Sequence, residues 1–262
     1  MSKQTSLVTF KGKMGGISFY ERKGVPVARK ASGPDRNRIL NDPKFERTRE
    51  NMSEFAALTM ATAALQSVFQ SVDNISGSEL RGRAASIIRG IIKEHDFKRG
   101  QRAVSLSQYR ERLLHFETNA NNKLEHLFSV QHNATHSADR LTATISIDDI
   151  STARIKAPKD TTHIKLVQLV GVLSDVVYNE TLKKYEFTDV RLNRLSNVTF
   201  SDYIPLIQNE PMAVNLETTL NAAALTPTCS VMQAFGVIFF QKDKSLYYPS
   251  KETTAMQIVD VY

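Results

Sequence analysis

The apolar side chains of this chain change their spacing once, near residue 125, and that change limits the architecture more than any other feature. Before it, Phe55, Leu58, Thr62, Leu65, Phe69 and Val72 recur three and four residues apart, the stripe of an amphipathic helix. Leu80, Ala84, Ile87, Ile88 and Ile91 make a second stripe, and Tyr109, Leu113 and Phe116 a third. Asp42-Pro43 supplies a cap acceptor followed by a proline whose missing N–H is harmless at a helix start. Ser76-Gly-Ser-Glu79 and Ser105-Leu-Ser-Gln108 have the form of capping boxes. Three helices joined by short connections predict a small bundle.

Beyond residue 125 the period is two. Leu141–Ile147, Tyr185–Phe187 and Met212–Leu220 alternate apolar and polar, whereas 164–173 and 231–240 are apolar at both parities and read as central strands. Turn signals at Pro158-Lys-Asp, Asn179-Glu-Thr, Gln208-Asn-Glu-Pro211 and Asp243-Lys-Ser, with a closing run at Met256–Val261, predict an antiparallel sandwich.

The front of the chain follows neither pattern. Three β-like runs, 6–10, 16–20 and 25–30, are separated by turns containing Gly12, Gly15, Gly16 and Gly24. Pro26 lacks a ladder donor, which places the third run at an edge or in an interrupted pairing. So short a ribbon cannot cover Leu7, Val8, Phe10, Ile17, Phe19, Tyr20, Val25 and Val27 by itself. Residues 31–41 are polar and aperiodic and read as a linker. The expectation is an α+β chain: an N-terminal β-hairpin arm and linker (1–41), a small helical bundle (42–125) and an antiparallel β-sandwich (126–262).

Of 262 residues, 41% are apolar and 23% charged, enough to bury a core. The single cysteine, Cys229, excludes an internal disulfide and demands no oxidising compartment. No apolar run follows Met1, and no stretch approaches the ~18 consecutive apolar residues of a membrane span. The expected location is therefore cytoplasmic. Charge is lopsided: residues 1–120 hold 21 Lys+Arg against 12 Asp+Glu, the rest 13 against 15. A basic half of this kind points to nucleic acid, another anionic surface or a complementary acidic face on a second copy.

Four motifs stand out: Phe-x-Gly-Lys-x-Gly-Gly-x-Ser-Phe-Tyr (Phe10 to Tyr20), Asn41-Asp-Pro-x-Phe-x-Arg-Thr-Arg-Glu-Asn51 with Ser53-Glu-Phe55, Thr162-His-Ile-Lys-Leu-Val167, and Gly236-Val-x-Phe-x-Gln241 with Tyr247 and Ile258-Val259. Together they resemble a family of uncharacterised proteins from Bacteroidota. The resemblance implies an architecture and a bacterial or phage source; it implies no activity and no catalytic residue.

Chemistry-bearing patterns are weak. Lys11, Gly12, Lys13, Gly15 and Gly16 lack the spacing of a phosphate loop and sit between strands, where a hairpin turn explains them better. His132 and His136 would meet on one helical face, but no third ligand is evident beyond nearby His126, so no metal is expected. Cys229 sits by a buried-looking strand without a partner histidine, and Asp148-Asp149 at a strand end reads as a turn. Tyr185, Tyr203, Tyr247 and Tyr248 show no clustering that would favour sugar binding, and the chain has no tryptophan. No cofactor is expected.

The leading expectation is a non-enzymatic structural protein that self-assembles with copies of itself into a filament, tube or shell, as a cytoplasmic assembly or part of a phage-like particle. Leu7, Phe10, Ile17, Phe19 and Tyr20 would make the contacts, with Arg47, Arg49 and Glu50 bracing the arm's base by ion pairs. The alternative is a nucleic-acid or polyanion-binding module using Arg36, Arg38, Lys44, Arg81, Arg83 and Arg89, with Lys93, Lys98, Arg99 and Arg102 nearby.

Overall fold

The computed structural model describes residues 2–6, 8–30, 33–72, 77, 79–207, 212–250 and 254–262. The turn signal at 208–211 and Ser76 of the first capping box lie outside the described residues. The protein is α+β, with helices early and many antiparallel strands. It forms two compact units, 1–49 and 50–262.

In the first unit, β1 (Ser2–Lys3), β2 (Gly12–Met14), β3 (Ile17–Arg22) and β4 (Val25–Lys30) make one antiparallel sheet in the order β1-β4-β3-β2. Both hairpins are two-residue loops with positive φ at each central residue, Gly15-Gly16 and Lys23-Gly24. Turns of that hand match the right-handed twist of the strands they join. Of the expected run at 6–10, the described residues 6 and 8–10 are not in a strand. There the Gln4 side chain clamps the loop, accepting from Phe10 N–H at 2.8 Å and donating to Phe10 O at 3.1 Å. Pro26 sits in an inner strand, where β1 pairs only with Val27 and Ala28 and so leaves the missing donor unneeded. The 31–41 segment is not all linker: Asp35 caps a helical turn, α1 (Arg36–Asn41), by accepting from Arg38 N–H at 2.7 Å. Asp42 then caps a 3-10 turn, Pro43–Phe45, and α2 (Glu46–Val68) begins.

In the second unit, α2 and α3 (Leu80–Glu94) cover one face of a sheet built on β7 (His163–Ser174) and β13 (Cys229–Asp243). β10 (Ser196–Phe200) and β11 (Ile204–Pro205) flank β7, while β14 (Leu246–Pro249) and β15 (Ala255–Val261) flank β13. Val167, Leu169 and Leu173 with Met232, Ala234 and Ile238 pack against Leu58, Leu65, Phe69, Ile88 and Ile91. Their alternates, among them Leu166, Val170, Phe235 and Val237, face β5 (Asn133–His136), β6 (Thr142–Ile147) and β12 (Val214–Thr219), meeting Ala143, Ile145 and Leu216. Burial on both faces explains why β7 and β13 are apolar at both parities. β8 (Val176–Asn179) and β9 (Lys184–Phe187) form a separate hairpin, and α4 (Leu124–Leu127) is one turn. The helices approach the sheet closely at Gly171, where an added Cβ would lie 2.1 Å from Val68 Cγ1.

The third helix expected around 105–116 does not form. One 3-10 turn, Arg110–Leu113, is followed by His115 at φ 62°, after which the backbone runs beside β15. His115 N–H donates to Ile258 O at 2.9 Å and Thr118 N–H to Met256 O at 2.8 Å, so the strand edge takes the donors that a helix would have used. By length and composition the helical stretch 43–72 could cross a membrane, but half of its most apolar window is buried, and residues such as Ala57, Ala61, Leu65 and Val68 belong to the sheet-facing core.

Candidate functional site

Strand alternation sorts the arm's apolar side chains onto two faces. Met14, Ile17 and Phe19 share one face, where the Phe10 ring lies 5.9 Å from that of Phe19. Tyr20 points the other way with Val27, under the Arg29 guanidinium at 5.7 Å. The expected contact set is thus split: Phe10, Ile17 and Phe19 come together, Tyr20 does not join them, and Leu7 lies outside the described residues. Met14, which the sequence reading passed over, completes the face. Val27 is the only buried side chain among the described residues of this unit, while Phe10 is 52% exposed, Met14 64% and Ile17 40%. Arg49 braces the arm's base through carbonyls, donating to Ile39 O at 2.8 Å and Asp42 O at 2.9 Å. Those carbonyls close α1, so the contact works as a C-terminal cap. Arg38 pairs with Asp42 at 3.3 Å, and Asp42 accepts from Lys44 N–H, a bond that holds its carboxyl below the usual range.

The other basic residues are distributed unequally. Arg36 and Arg81 are exposed. Arg83 turns inward, its guanidinium 5.1 Å from the Phe116 ring centre. Arg89 instead lines a cleft of about 300 Å³ between α2 and α3, together with Lys93, Arg99 and Arg102. The floor is Leu58 and Ile92, both buried, and the rim is Phe55, 61% exposed. Phe55 belongs to the sequence stripe but falls two residues short of the buried part of α2, which begins at Ala57.

The loop that follows α3 is pinned to α2 beside this cleft. Ser53 donates to Gly100 O at 2.6 Å, Gly100 N–H donates to Glu54 at 2.9 Å, and Arg102 grips the Glu54 carboxylate with two bonds of 2.7 Å. Tyr185 OH donates to Arg102 O at 3.0 Å. Gly100 has φ +83°, and an added Cβ would sit 3.0 Å from the Glu50 backbone. A side chain there would lift the loop off the helix. Burial opposes ionisation of Glu54, but the Arg102 fork and the Gly100 N–H outweigh it and keep the carboxyl low. Sequence reasoning missed this pair because its members stand 48 residues apart.

The remaining candidates resolve into structural roles. His132 and His136 lie at a strand, not a helix; His132 packs on Phe235, and His136 stacks on Tyr262 at 3.6 Å and bonds to Asp260 at 3.0 Å. Among the described residues no three His, Cys, Asp or Glu side chains gather as metal ligands. Cys229 is buried, which pushes its thiol up. Asp148 and Asp149 line a polar depression with His132 and Arg154. Tyr203 and Tyr247 do cluster, contrary to expectation, stacking at 3.6 Å; Lys165 approaches Tyr203 at 4.3 Å and Lys242 approaches Tyr247 at 5.2 Å. Their ring faces are thus met by each other and by the chain's own cations.

Comparison with known proteins adds no relative: no family model, no curated protein and no solved structure matches this chain.

Proposed function

We propose that this chain is a non-enzymatic structural protein that assembles with copies of itself through its N-terminal sheet, as a component of a cytoplasmic assembly or of a phage-like particle. The observation that carries the reading is the arm's burial: a 49-residue unit with one buried side chain among its described residues, and with Phe10, Met14 and Ile17 exposed on a single face. A unit of that size needs outside support to hold a fixed shape. Fully burying such side chains contributes roughly 1.5–3 kcal/mol each, a favourable contribution set against the ordering cost of association. The sheet also ends in β2 and the two-residue β1, whose outer backbone groups can accept a neighbour's strand. A contact between two different patches propagates into a filament or closes into a ring or shell. Symmetry follows from where the arm lands.

Deleting residues 1–30 tests the reading. Intact protein is expected to form large ordered particles by light scattering and negative-stain microscopy, and the deletion a folded monomer. A deletion that aggregates or unfolds would instead mean that the arm serves its own chain.

A further inference from the structure

We propose that the cleft between α2 and α3 binds a phosphomonoester carrying a flat apolar body, the chemistry shared by a free nucleoside monophosphate and by the phosphorylated 5′ end of a single-stranded nucleic acid. The charge is the first argument. Arg102 is committed to Glu54, whereas Arg89, Lys93 and Arg99 line the cleft without an ion pair to any carboxylate among the described residues, Arg99 adding only a longer-range attraction to Glu54. Glu50 lies within Coulombic range of Arg102, so the local excess is close to two positive charges, which a phosphomonoester dianion matches. Arg89 and Lys93 are also four apart on one helix, a like-charge spacing whose repulsion a bound anion would relieve.

Shape is the second argument. Guanidinium forks bind phosphate oxygens two at a time, and Arg89 and Arg99 approach from a helix and a loop. Leu58 and Ile92 give an apolar floor, and Phe55 offers a ring on the rim that packs on no other ring among the described residues. A cavity of about 300 Å³ is at the small end of ligand pockets, the scale of one nucleotide. The loop carrying Arg99 is fixed in advance by the Gly100 and Arg102 bonds to α2, so little ordering remains for binding.

Calorimetry on the full chain at low salt, with adenosine monophosphate, adenosine, inorganic phosphate, and one oligonucleotide with and without a 5′-phosphate, tests the assignment. Adenosine monophosphate is expected to bind saturably and adenosine not. Arg89→Ala/Lys93→Ala should weaken it by at least about tenfold, the loss of two charge-assisted contacts. Phe55→Ala should weaken adenosine monophosphate about threefold and leave inorganic phosphate unchanged. Arg99→Ala, at an exposed loop position, supplies a second variant should the helix pair perturb folding. Tighter binding of the phosphorylated oligonucleotide than of the mononucleotide would identify a strand end as the source, and equal binding a free nucleotide. No saturable binding of adenosine monophosphate or of the phosphorylated oligonucleotide, unchanged binding in both variants, or equally tight binding of both oligonucleotides would overturn the proposal, the last favouring a general polyanion surface.

Discussion

Glu117 should make the protein lose stability as pH rises toward neutrality. The side chain is 7% exposed and bridges two elements, accepting from Gln257 Nε2 at 2.8 Å and from Leu124 N–H at 3.2 and 3.3 Å. Burial pushes its carboxyl from 4.5 up to about 7, and the two donors only partly counter that rise. The folded state therefore holds a proton that the unfolded chain has released between those values. Its contribution to stability is fully present below about pH 4.5 and is lost as pH climbs through about 7. At about 1.4 kcal/mol per pH unit, the difference between the two values corresponds to roughly 3 kcal/mol. Glu117→Gln keeps the shape and removes the titration. Urea unfolding of both proteins at about pH 5 and about pH 8 should show the variant gaining on the native chain by roughly 2.5 kcal/mol between the two conditions, since pH 5 already lies above the unfolded value. Other titrating groups, including buried Asp175, cancel in that comparison. A constant difference would show that Glu117 is ionised in the fold throughout, and the argument from burial would fail.

Three further outcomes follow from the packing. Gly171→Ala should lower the melting temperature by several degrees, about 1–3 kcal/mol, because its Cβ would meet Val68 at 2.1 Å and push α2 from the sheet. Arg102→Ala should cost about 3 kcal/mol by leaving the half-buried Glu54 carboxylate without its fork, and a double-mutant cycle with Glu54→Ala should recover much of that loss as coupling. Ile17→Asp with Phe10→Asp should leave the circular dichroism spectrum intact and abolish particles in light scattering, since both positions are exposed on one face of the arm.

Periodicity is legible where one element buries one face, and fails where tertiary contacts overrule local pattern. Leu58, Thr62, Leu65, Phe69 and Val72 were readable because the stripe beyond Phe55 is buried in the core under α2, and β7 and β13 because both of their faces are covered. Tyr109, Leu113 and Phe116 have helical spacing, yet the backbone there bonds to β15, a partner some 140 residues away. The run at 6–10 has the side chains of a strand, but Gln4 ties down the Phe10 backbone, and residues 8–10 lie outside any strand. β5, β8, β10, β11 and β14 are short or half-exposed and carry too little apolar signal to stand out. Of the two sites, the arm's apolar content was visible and its facial sorting followed from the hairpin register. The cleft was not visible, because α2, α3 and the 99–102 loop meet only in three dimensions.

Assembly requires the exposed face of the N-terminal sheet to be covered by a second molecule. Light scattering of the intact purified chain across a concentration series measures that directly. Assembly through the arm predicts particles far larger than 29.4 kDa that vanish when residues 1–30 are removed. A single 29.4 kDa species at every concentration would contradict it.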